Sequence, residues 1–388
     1  MKRLGLSAML IVFTCPLTSV AGGLEQSAPS PGILFKSGDV AEFKMAYSEP
    51  SVDGSVAVGV FGEQQSGNIT ESMLRLGTSV KQQLNDRVAY ALVFEQPHWA
   101  RANYSDSSER YPYRDSFAKL SEDRLTLWGK YQPADNFSIY GGPMLSRTKV
   151  SASVKMTVPN PVNGSPLPVL NYSGSAPGKT ALGYAAGVAL ENQSKAQRLS
   201  LTYFSELEFD MTATERASGV NVSTGEAYVI PESVTGASYK LPQSVTLAAQ
   251  TGLNEKTLLF GSVRWADWSE YRIAPLVYES VTGEALSNFD NDSTTLSIGI
   301  GRKLNEQISL FVLGSYEKAR GGLKDNLSPT DGDKSFVLGG TYRMGQHEVR
   351  VGVQHTLIGD AKTNANVGQA SFTDNSGTGV GLTLLTKF

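Results

Sequence analysis

Histidine is the residue type best suited to acid–base or metal chemistry, and this chain contains only His98, His347 and His355. They are widely separated, and His347 is predicted at the opposite end of the fold from the other two. Zinc sites gather three or four closely placed ligands, so histidine alone supplies no such cluster. A hydrolase could pair His355 with a serine, but no Gly-x-Ser-x-Gly turn accompanies it. We therefore predict no enzymatic activity, no metal site and no cofactor.

Two other groups were weighed for chemistry. Asp290, Asn291 and Asp292 could hold a calcium ion, although acidic residues at a loop tip are more often simply solvated. Cys15 is the one cysteine and lies in the N-terminal segment. If that segment is cleaved after Ala21, no disulfide or thiol chemistry remains. The chain is mildly acidic, with a formal net charge of −3, which gives no reason to expect nucleic-acid binding.

The elements that would position any site have a period of two residues. In residues 377–388, Val380, Leu382 and Leu384 alternate with small or polar residues, so one face of an extended chain is apolar. The same alternation recurs in about fourteen segments of roughly the length of a tilted membrane strand. No apolar run after residue 21 approaches the ~20 residues of a membrane helix. The pattern predicts an all-β membrane protein, a single antiparallel transmembrane β-barrel.

Connection lengths support this prediction. Short turns are expected near residues 84–86, 133–136, 192–195, 253–255, 304–306 and 345–346. Long polar loops are expected at residues 49–70, 96–120, 149–178, 210–242, 269–292, 318–334 and 359–376. Short turns at one end and long loops at the other are typical of bacterial outer-membrane barrels, with both termini on the short-turn side. We therefore expect the protein in the outer membrane of a Gram-negative bacterium.

The N-terminal region divides into two predicted parts ahead of the barrel at residues 39–388. Residues 1–21 have a basic start, an apolar run and small residues before the cleavage point, as in a secretory signal peptide. Residues 22–38 contain Pro29 and Pro31 and then an apolar triplet, Ile33, Leu34 and Phe35. We predict that this segment is a plug, or hatch, inside the barrel; the alternative is a disordered periplasmic tail.

Several aromatic residues and one proline are candidates for the path of a substrate. Trp265 and Trp268 lie where a strand meets its external loop, and Trp99 does so elsewhere. Their simplest interpretation is an interfacial girdle of amphipathic rings, with ligand contact as the alternative. Pro97 removes a ladder donor at the end of the third strand. It either bends the wall and opens a lateral path or begins the loop, and the sequence favours the second.

Six stretches of the sequence are distinctive: Gly-Leu-Glu-Gln-Ser at 23–27, Gly-Ile-Leu-Phe at 32–35, Leu-Asn-Asp-Arg at 84–87, Gly-Ser-Val-Arg-Trp-Ala-Asp-Trp at 261–268, Tyr-Glu-Lys at 316–318 and Pro-Thr-Asp-Gly at 329–332. Through these stretches the chain resembles the FadL/TodX family of outer-membrane channels for long-chain fatty acids and other hydrophobic compounds. The Asn-Pro-Ala motif of better-known members is missing before the first strand, so the chain resembles a divergent branch with a short hatch. A terminal aromatic, here Phe388, also resembles the signal that the barrel-insertion machinery reads.

The resemblance implies passive uptake of a hydrophobic ligand, such as a long-chain fatty acid or a related lipid or hydrocarbon, across an outer membrane that contains lipid and lipopolysaccharide. Residues 158–170 include apolar side chains that could form a capture surface. Two alternatives remain open: a structural barrel or adhesin, and a general or solute-specific porin with a polar lumen. The porin alternative rests on predicted lumen cations: Arg75, Lys81, Arg124, Lys130, Arg264, Arg302 and Arg350.

Overall fold

Alternating apolar and polar residues build one closed antiparallel β-barrel of fourteen strands, as the sequence predicts. The computed structural model describes residues 24–160 and 162–388, so the predicted signal peptide lies outside the described residues. The barrel strands are β1 Val40–Ser51, β2 Met73–Gln83, β3 Val88–Glu95 with Trp99–Asn103, β4 Phe117–Ala134, β5 Phe137–Pro159, β6 Pro166–Asn192, β7 Gln197–Phe204 with Leu207–Val220, β8 Ala227–Leu241 with Ser244–Asn254, β9 Thr257–Ala266, β10 Ser293–Lys303, β11 Ile308–Glu317, β12 Asp333–Met344, β13 His347–Ile358 and β14 Ser376–Lys387. The barrel closes where β14 pairs with β1, from Val40 opposite Lys387 to Ser51 opposite Ser376.

Short elements in the external loops and near the N-terminus complete the fold. Five short strands form a second sheet over the barrel: Gly54–Ala57, Glu63–Gln65, Leu323–Lys324, Ala361–Asn364 and Gln369–Phe372. The remaining elements are the strand pair Arg272–Ile273 and Ser287–Asn288, the helix α1 at Leu276–Thr282, and 3₁₀ turns at Gly32–Phe35, Gly59–Phe61, Gln193–Lys195 and Trp268–Glu270. Among the residues described, no helix has the length and apolar character needed to cross a membrane.

The two faces of the barrel wall differ in the way that a lipid environment requires. Large apolar side chains on alternate residues are exposed on the outside, as at Leu76, Leu127 and Leu338. The inward positions between them carry buried polar groups, such as Lys81 and Glu122. This apolar-out, polar-in alternation matches the sequence pattern, because residues two apart on a strand share a face.

The short turns also form as predicted, for a local physical reason. In the turn after β2, the side-chain oxygen of Asn85 accepts hydrogen bonds from the backbone N–H groups of Arg87 and Val88, both at 2.9 Å. Asn305 does the same for Gln307 and Ile308. An asparagine side chain can thus replace a backbone acceptor in a tight turn, which explains the repeated Leu-Asn-acid triplet.

Two predicted long loops are wrong, because β5–β8 continue outward as two long hairpins. The connection between β5 and β6 is only residues 160–165, and the one between β7 and β8 is residues 221–226. The predicted capture segment at residues 158–170 is accordingly a hairpin end. The sequence of these arms looks loop-like because it is rich in Gly, Ser and Pro. Its inward positions nevertheless alternate as strands do, with Ala152 and Tyr172 buried.

Candidate transport path

The N-terminal segment lies inside the barrel rather than below it. Ile33, Leu34 and Phe35 belong to the 3₁₀ turn Gly32–Phe35, and they are only 5%, 2% and 7% exposed. They pack in one apolar cluster with wall residues Ala91, Val93, Trp128, Tyr140, Met144, Ala185, Ala189 and Phe204. We call residues 24–38 the N-terminal segment. Its apolar triplet needs cover from water, and the barrel interior supplies that cover.

Phe35 has an unusual setting at the lower end of this cluster. Its ring meets Tyr140 edge-to-face at 5.5 Å, and the Lys130 Nζ and the Arg198 guanidinium lie 4.6 Å and 4.3 Å from its centroid. Cations placed over an aromatic face are attracted by its quadrupole. Beyond this ring, towards the short-turn end, lies a cavity of about 890 Å³ whose lining includes Glu191 and Arg198. The ring therefore separates apolar packing from a polar mouth.

Charged groups hold the segment at both ends. Glu25 pairs with both edge nitrogens of Arg264, at 2.9 Å for Nε to Oε2 and 2.5 Å for Nη2 to Oε1. At the other end, the buried Lys81 Nζ donates to the carbonyls of Lys36 and Gly38 at 2.8 and 2.9 Å. A bidentate arginine–carboxylate pair fixes geometry as well as charge. No sequence pattern singled out Glu25, although it lies within the stretch 23–27 that carries the family resemblance.

The barrel wall is interrupted where the N-terminal segment touches it. The ladder between β2 and β3 stops at Thr78 opposite Phe94, residues 96–98 are not strand, and β3 resumes at Trp99 opposite Ser121 on β4. We call this interruption the wall gap. Because β3 resumes, the favoured interpretation of Pro97 as the start of a loop is wrong.

Two parts of the chain cover the wall gap. The Pro97 carbonyl accepts hydrogen bonds from the backbone N–H groups of Gln26 and Ser27 at 2.8 and 3.3 Å. The Gln96 side chain accepts from the Leu76 N–H at 3.1 Å and donates to Asp123 at 2.9 Å. A small cavity of about 80 Å³ remains there. The gap is thus closed by one side chain in the wall and by the N-terminal segment on the inside.

Next to the gap lies a buried polar layer that includes His98. The Nδ1 atom of His98 lies 2.5 Å from Glu122 Oε2, and the imidazole ring meets the Trp268 ring edge-to-face, with 5.8 Å between the ring centroids. Glu122 also accepts from Arg124 at 2.9 Å and from the Ser146 hydroxyl. This carboxylate, which the sequence analysis did not single out, is fully engaged, as a buried charge must be.

The predicted lumen cations are mostly neutralised. Arg124, Arg264, Lys130 and Arg350 form ion pairs with Glu122, Glu25, Glu191 and Glu348, respectively. Arg75 donates to the Gln26 carbonyl at 2.6 Å. The prediction for Arg302 is wrong: it shares the outward face with Ile300 and is exposed. A strand register in which Ile298 and Ile300 face lipid necessarily turns residue 302 outward too.

The three tryptophan candidates occupy different environments. Trp265 lies on the outer face and donates its Nε1–H to Asp292 at 3.0 Å. Trp99 also shares the outward face of its strand, with the Arg101 guanidinium 4.7 Å from its ring centroid. Trp268 is 1% exposed and packs against Tyr271 and Phe289 with ring centroids 5.6 and 5.2 Å away. Trp265 and Trp99 therefore have the girdle position, whereas Trp268 belongs to the apolar core beneath the external loops.

The apolar core beneath the external loops contains a second buried carboxylate, Glu215, which no local pattern in the sequence indicates. Glu215 accepts from the hydroxyls of Tyr172 and Thr235 and from the first N–H groups of helix α1, at Val277 and Tyr278. Helix N-termini carry unpaired N–H groups and a positive dipole end, which favour a carboxylate. Beneath α1 lies a small apolar cavity of about 30 Å³ lined by side chains such as Met211, Tyr239 and Ile273.

Two loops over the barrel mouth are joined by Asp325, whose carboxylate accepts the Asn288 N–H at 2.7 Å. Burial raises the pKa of Asp325 to about 6, and the hydrogen bonds it accepts only partly offset this effect. Asp292, weighed above as a calcium ligand, is instead engaged by Trp265 and the Ser269 N–H. Within residues 24–160 and 162–388, no cluster of three or more His, Cys, Asp or Glu side chains is placed so that it could hold a metal ion.

Comparison with known proteins identifies the family and the fold of this chain. A model of the family described as outer membrane protein transport protein (OMPP1/FadL/TodX) matches residues 38–387. The structure is similar to a Pseudomonas aeruginosa FadL homologue, with a TM-score of 0.75, 16% identity, and coverage of 97% of this chain and 99% of that one.

Two transporters also share the fold. The toluene transporter TodX of P. putida aligns with a TM-score of 0.65 and 15% identity, over 92% of this chain and 91% of that one. The toluene transporter TbuX of Ralstonia pickettii aligns with a TM-score of 0.64 and 12% identity, over 95% and 98%. No curated protein sequence matches the chain.

Proposed function

The chain belongs to the OMPP1/FadL/TodX family of outer-membrane transport proteins of Gram-negative bacteria, and from this premise we propose a specific cargo and path. The cargo is an apolar molecule: a long-chain fatty acid, a related lipid or a hydrocarbon. It is captured in the core beneath the external loops, moves past the N-terminal segment and leaves sideways through the wall gap. Transport is passive and needs no cofactor or chemical step.

The observation that carries this proposal is the apolar cluster around Ile33, Leu34 and Phe35 inside the barrel. A water-filled pore offers an apolar molecule no favourable contact, whereas a plug that packs against Trp128 and Phe204 exposes apolar wall when it shifts. The lumen charges beside it are paired with each other, which leaves few of them to attract ions.

The cargo class is also supported by the relatives, among which TodX and TbuX are described as toluene transporters. These two transporters are only 15% and 12% identical to this chain, so the likeness shows a shared fold but does not identify the ligand. We therefore propose the broad class of apolar compounds and assign it no single member.

Three further parts of the proposal concern the chain itself. Residues 1–21 are a secretory signal peptide, residues 22–38 are a displaceable hatch, and residues 39–388 are the barrel. Phe388 at the end of β14 is 62% exposed, and we propose that it is read by the barrel-insertion machinery. Trp99, Trp265 and Pro97 border the wall gap or the outer interface, and Trp268 lines the capture core.

A glycine substitution at the wall gap tests the path. Gly77 faces inward beside the gap and helps to line its small cavity. Gly77→Leu fills that space, so uptake of a radiolabelled fatty acid by cells should fall at least tenfold. Gly129→Leu is the control, because a side chain there would meet only the Gly141 carbonyl at 3.8 Å and would point towards lipid. Equal uptake by both variants would contradict the lateral path.

A further inference from the structure

A concentration of positive charge lies on the outer wall just above the apolar belt. The four basic residues, here called the basic patch, are Arg101 on β3, Lys119 on β4, and Arg147 and Lys149 on β5. All four are exposed, and each shares the outward face of its strand with apolar residues below it, such as Leu125 and Leu145. The patch therefore faces the membrane and not the lumen.

Strand register brings these side chains together. Arg101 lies directly opposite Lys119, and Lys149 lies opposite Ser121, two residues along β4 from Lys119. Directly opposed residues have Cβ atoms about 5 Å apart and diagonal neighbours roughly 7–8 Å apart. Arg147 lies opposite Asp123, four residues along β4 from Lys119, so the four cations extend over roughly 13 Å of strand.

The patch keeps a net positive charge, although two acids lie beside it. Arg101 forms an ion pair with Glu71 at 2.8 Å. Asp123 lies opposite Arg147 on the same outward face and also accepts a hydrogen bond from Gln96. The side chains of Lys119, Arg147 and Lys149 have no carboxylate within ion-pair distance among the residues that the structure describes, so four cations face two acids. Like charges on neighbouring strands repel each other, so an external anion would stabilise this arrangement.

The height of the patch indicates where that anion comes from. Arg147 follows Leu145 by two residues, a step of roughly 6–7 Å along a tilted strand. Arg147 therefore lies just outside the hydrocarbon layer, at the level of lipid head groups, whereas Lys119, six residues beyond Leu125, lies higher on the wall. Outward positions above the belt on other strands carry isolated charges of both signs, such as Glu49, Glu208 and Lys334. Only a lipid of the outer leaflet holds phosphate at this depth beside an apolar wall.

We propose that the basic patch binds the phosphate groups of lipopolysaccharide in the outer leaflet. Arginine and lysine suit this ligand because they supply charge-assisted hydrogen bonds to phosphate oxygens. The acyl chains of the bound lipid lie along the apolar residues below the patch. Because β3 carries both Arg101 and the wall gap, the bound lipid is a fixed neighbour of the gap.

Native mass spectrometry of the purified barrel in detergent, titrated with lipid A, tests the proposal. The variant Lys119→Gln/Arg147→Gln/Lys149→Gln removes three exposed cations without touching the lumen. A basic residue near an anionic lipid surface contributes roughly a fivefold factor in affinity, so the triple variant should bind lipid A on the order of a hundredfold more weakly. Dephosphorylated lipid A should bind the native barrel as weakly as intact lipid A binds the triple variant.

The matched control is Lys318→Gln/Lys334→Gln, which removes two exposed cations above the belt on the opposite wall. It should bind lipid A as the native barrel does, and heat-dependent gel mobility should show that both variants are folded. The proposal is overturned if the triple variant keeps native affinity or if the control loses as much. It is also overturned if millimolar inorganic phosphate displaces lipid A, because the patch would then be a site for free phosphate.

Discussion

Replacing Glu25 with glutamine should release the N-terminal segment from the barrel wall. Glu25 and Arg264 are 15% and 9% exposed and form a bidentate pair. Removing one partner of a buried ion pair leaves an uncompensated charge and costs about 3–5 kcal/mol. The remaining contact of Arg264 with the Thr246 hydroxyl, at 3.3 Å, is a weak substitute.

The cost of losing Glu25 lies at the lower end of this range, about 3 kcal/mol, because both side chains keep some contact with water. A loss of about 3 kcal/mol corresponds to a change on the order of a hundredfold in an equilibrium constant. The hydrogen bonds between the barrel strands do not depend on this pair, so the lost free energy destabilises only the docking of the N-terminal segment against the wall. The fraction of barrels with a displaced segment should therefore rise about a hundredfold.

Ion current through single barrels in planar bilayers measures this fraction as the frequency of opening. Glu25→Gln should open on the order of a hundred times more often than the native protein. Glu25→Gln/Arg264→Gln should be less affected, because it leaves no unpaired charge. The control is Glu71→Gln, which breaks the exposed pair with Arg101 and should change opening less than about fivefold. Equal opening frequencies for Glu25→Gln and Glu71→Gln would show that the Glu25–Arg264 pair does not hold the N-terminal segment in place.

Three further changes have expected outcomes. Phe35→Ala removes a buried ring and its cation contacts, at a cost of about 3–5 kcal/mol, and should make the segment accessible to protease in the folded barrel. Glu215→Ala leaves buried donors of Tyr172 and α1 unpaired, at about 1–3 kcal/mol, and should speed hydrogen exchange in residues 276–282 at least fivefold. Burial raises the pKa of Asp325 from 3.8 to about 6, so the packed arrangement of the loops that buries this carboxyl is most stable below about pH 4 and loses stability as pH rises through 6. Asp325→Asn should abolish that dependence in hydrogen exchange between pH 4 and 7; an unchanged pH profile would contradict it.

The barrel was predictable because its main signal is local. Period-two alternation and Asn-containing turns depend on residues close together in sequence, as at Asn85 and Asn305, and both were interpreted correctly. The long β5–β8 arms were missed because their strands are rich in small polar residues. Such residues obscure alternation unless the buried partner layer is known.

The site was less predictable because its contacts join distant residues. Glu25 pairs with Arg264, which lies 239 residues away in the sequence. Glu215 accepts a hydrogen bond from the Val277 N–H only because helix α1 docks against it. No local pattern reports such pairings. Trp265 and Trp268 lie three residues apart and point to opposite sides of the wall: Trp265 is half-buried on the outer face, whereas Trp268 begins a 3₁₀ turn and is 1% exposed.

We propose that apolar molecules cross this barrel while its interior stays closed to ions. Two measurements on the native protein test this together: uptake of a labelled fatty acid or toluene by cells that lack their own transporter, and ion current through the purified barrel in a planar bilayer. We expect uptake that depends on the protein, together with only rare, brief current. A steady ion current without uptake of either apolar compound would contradict it and favour a porin.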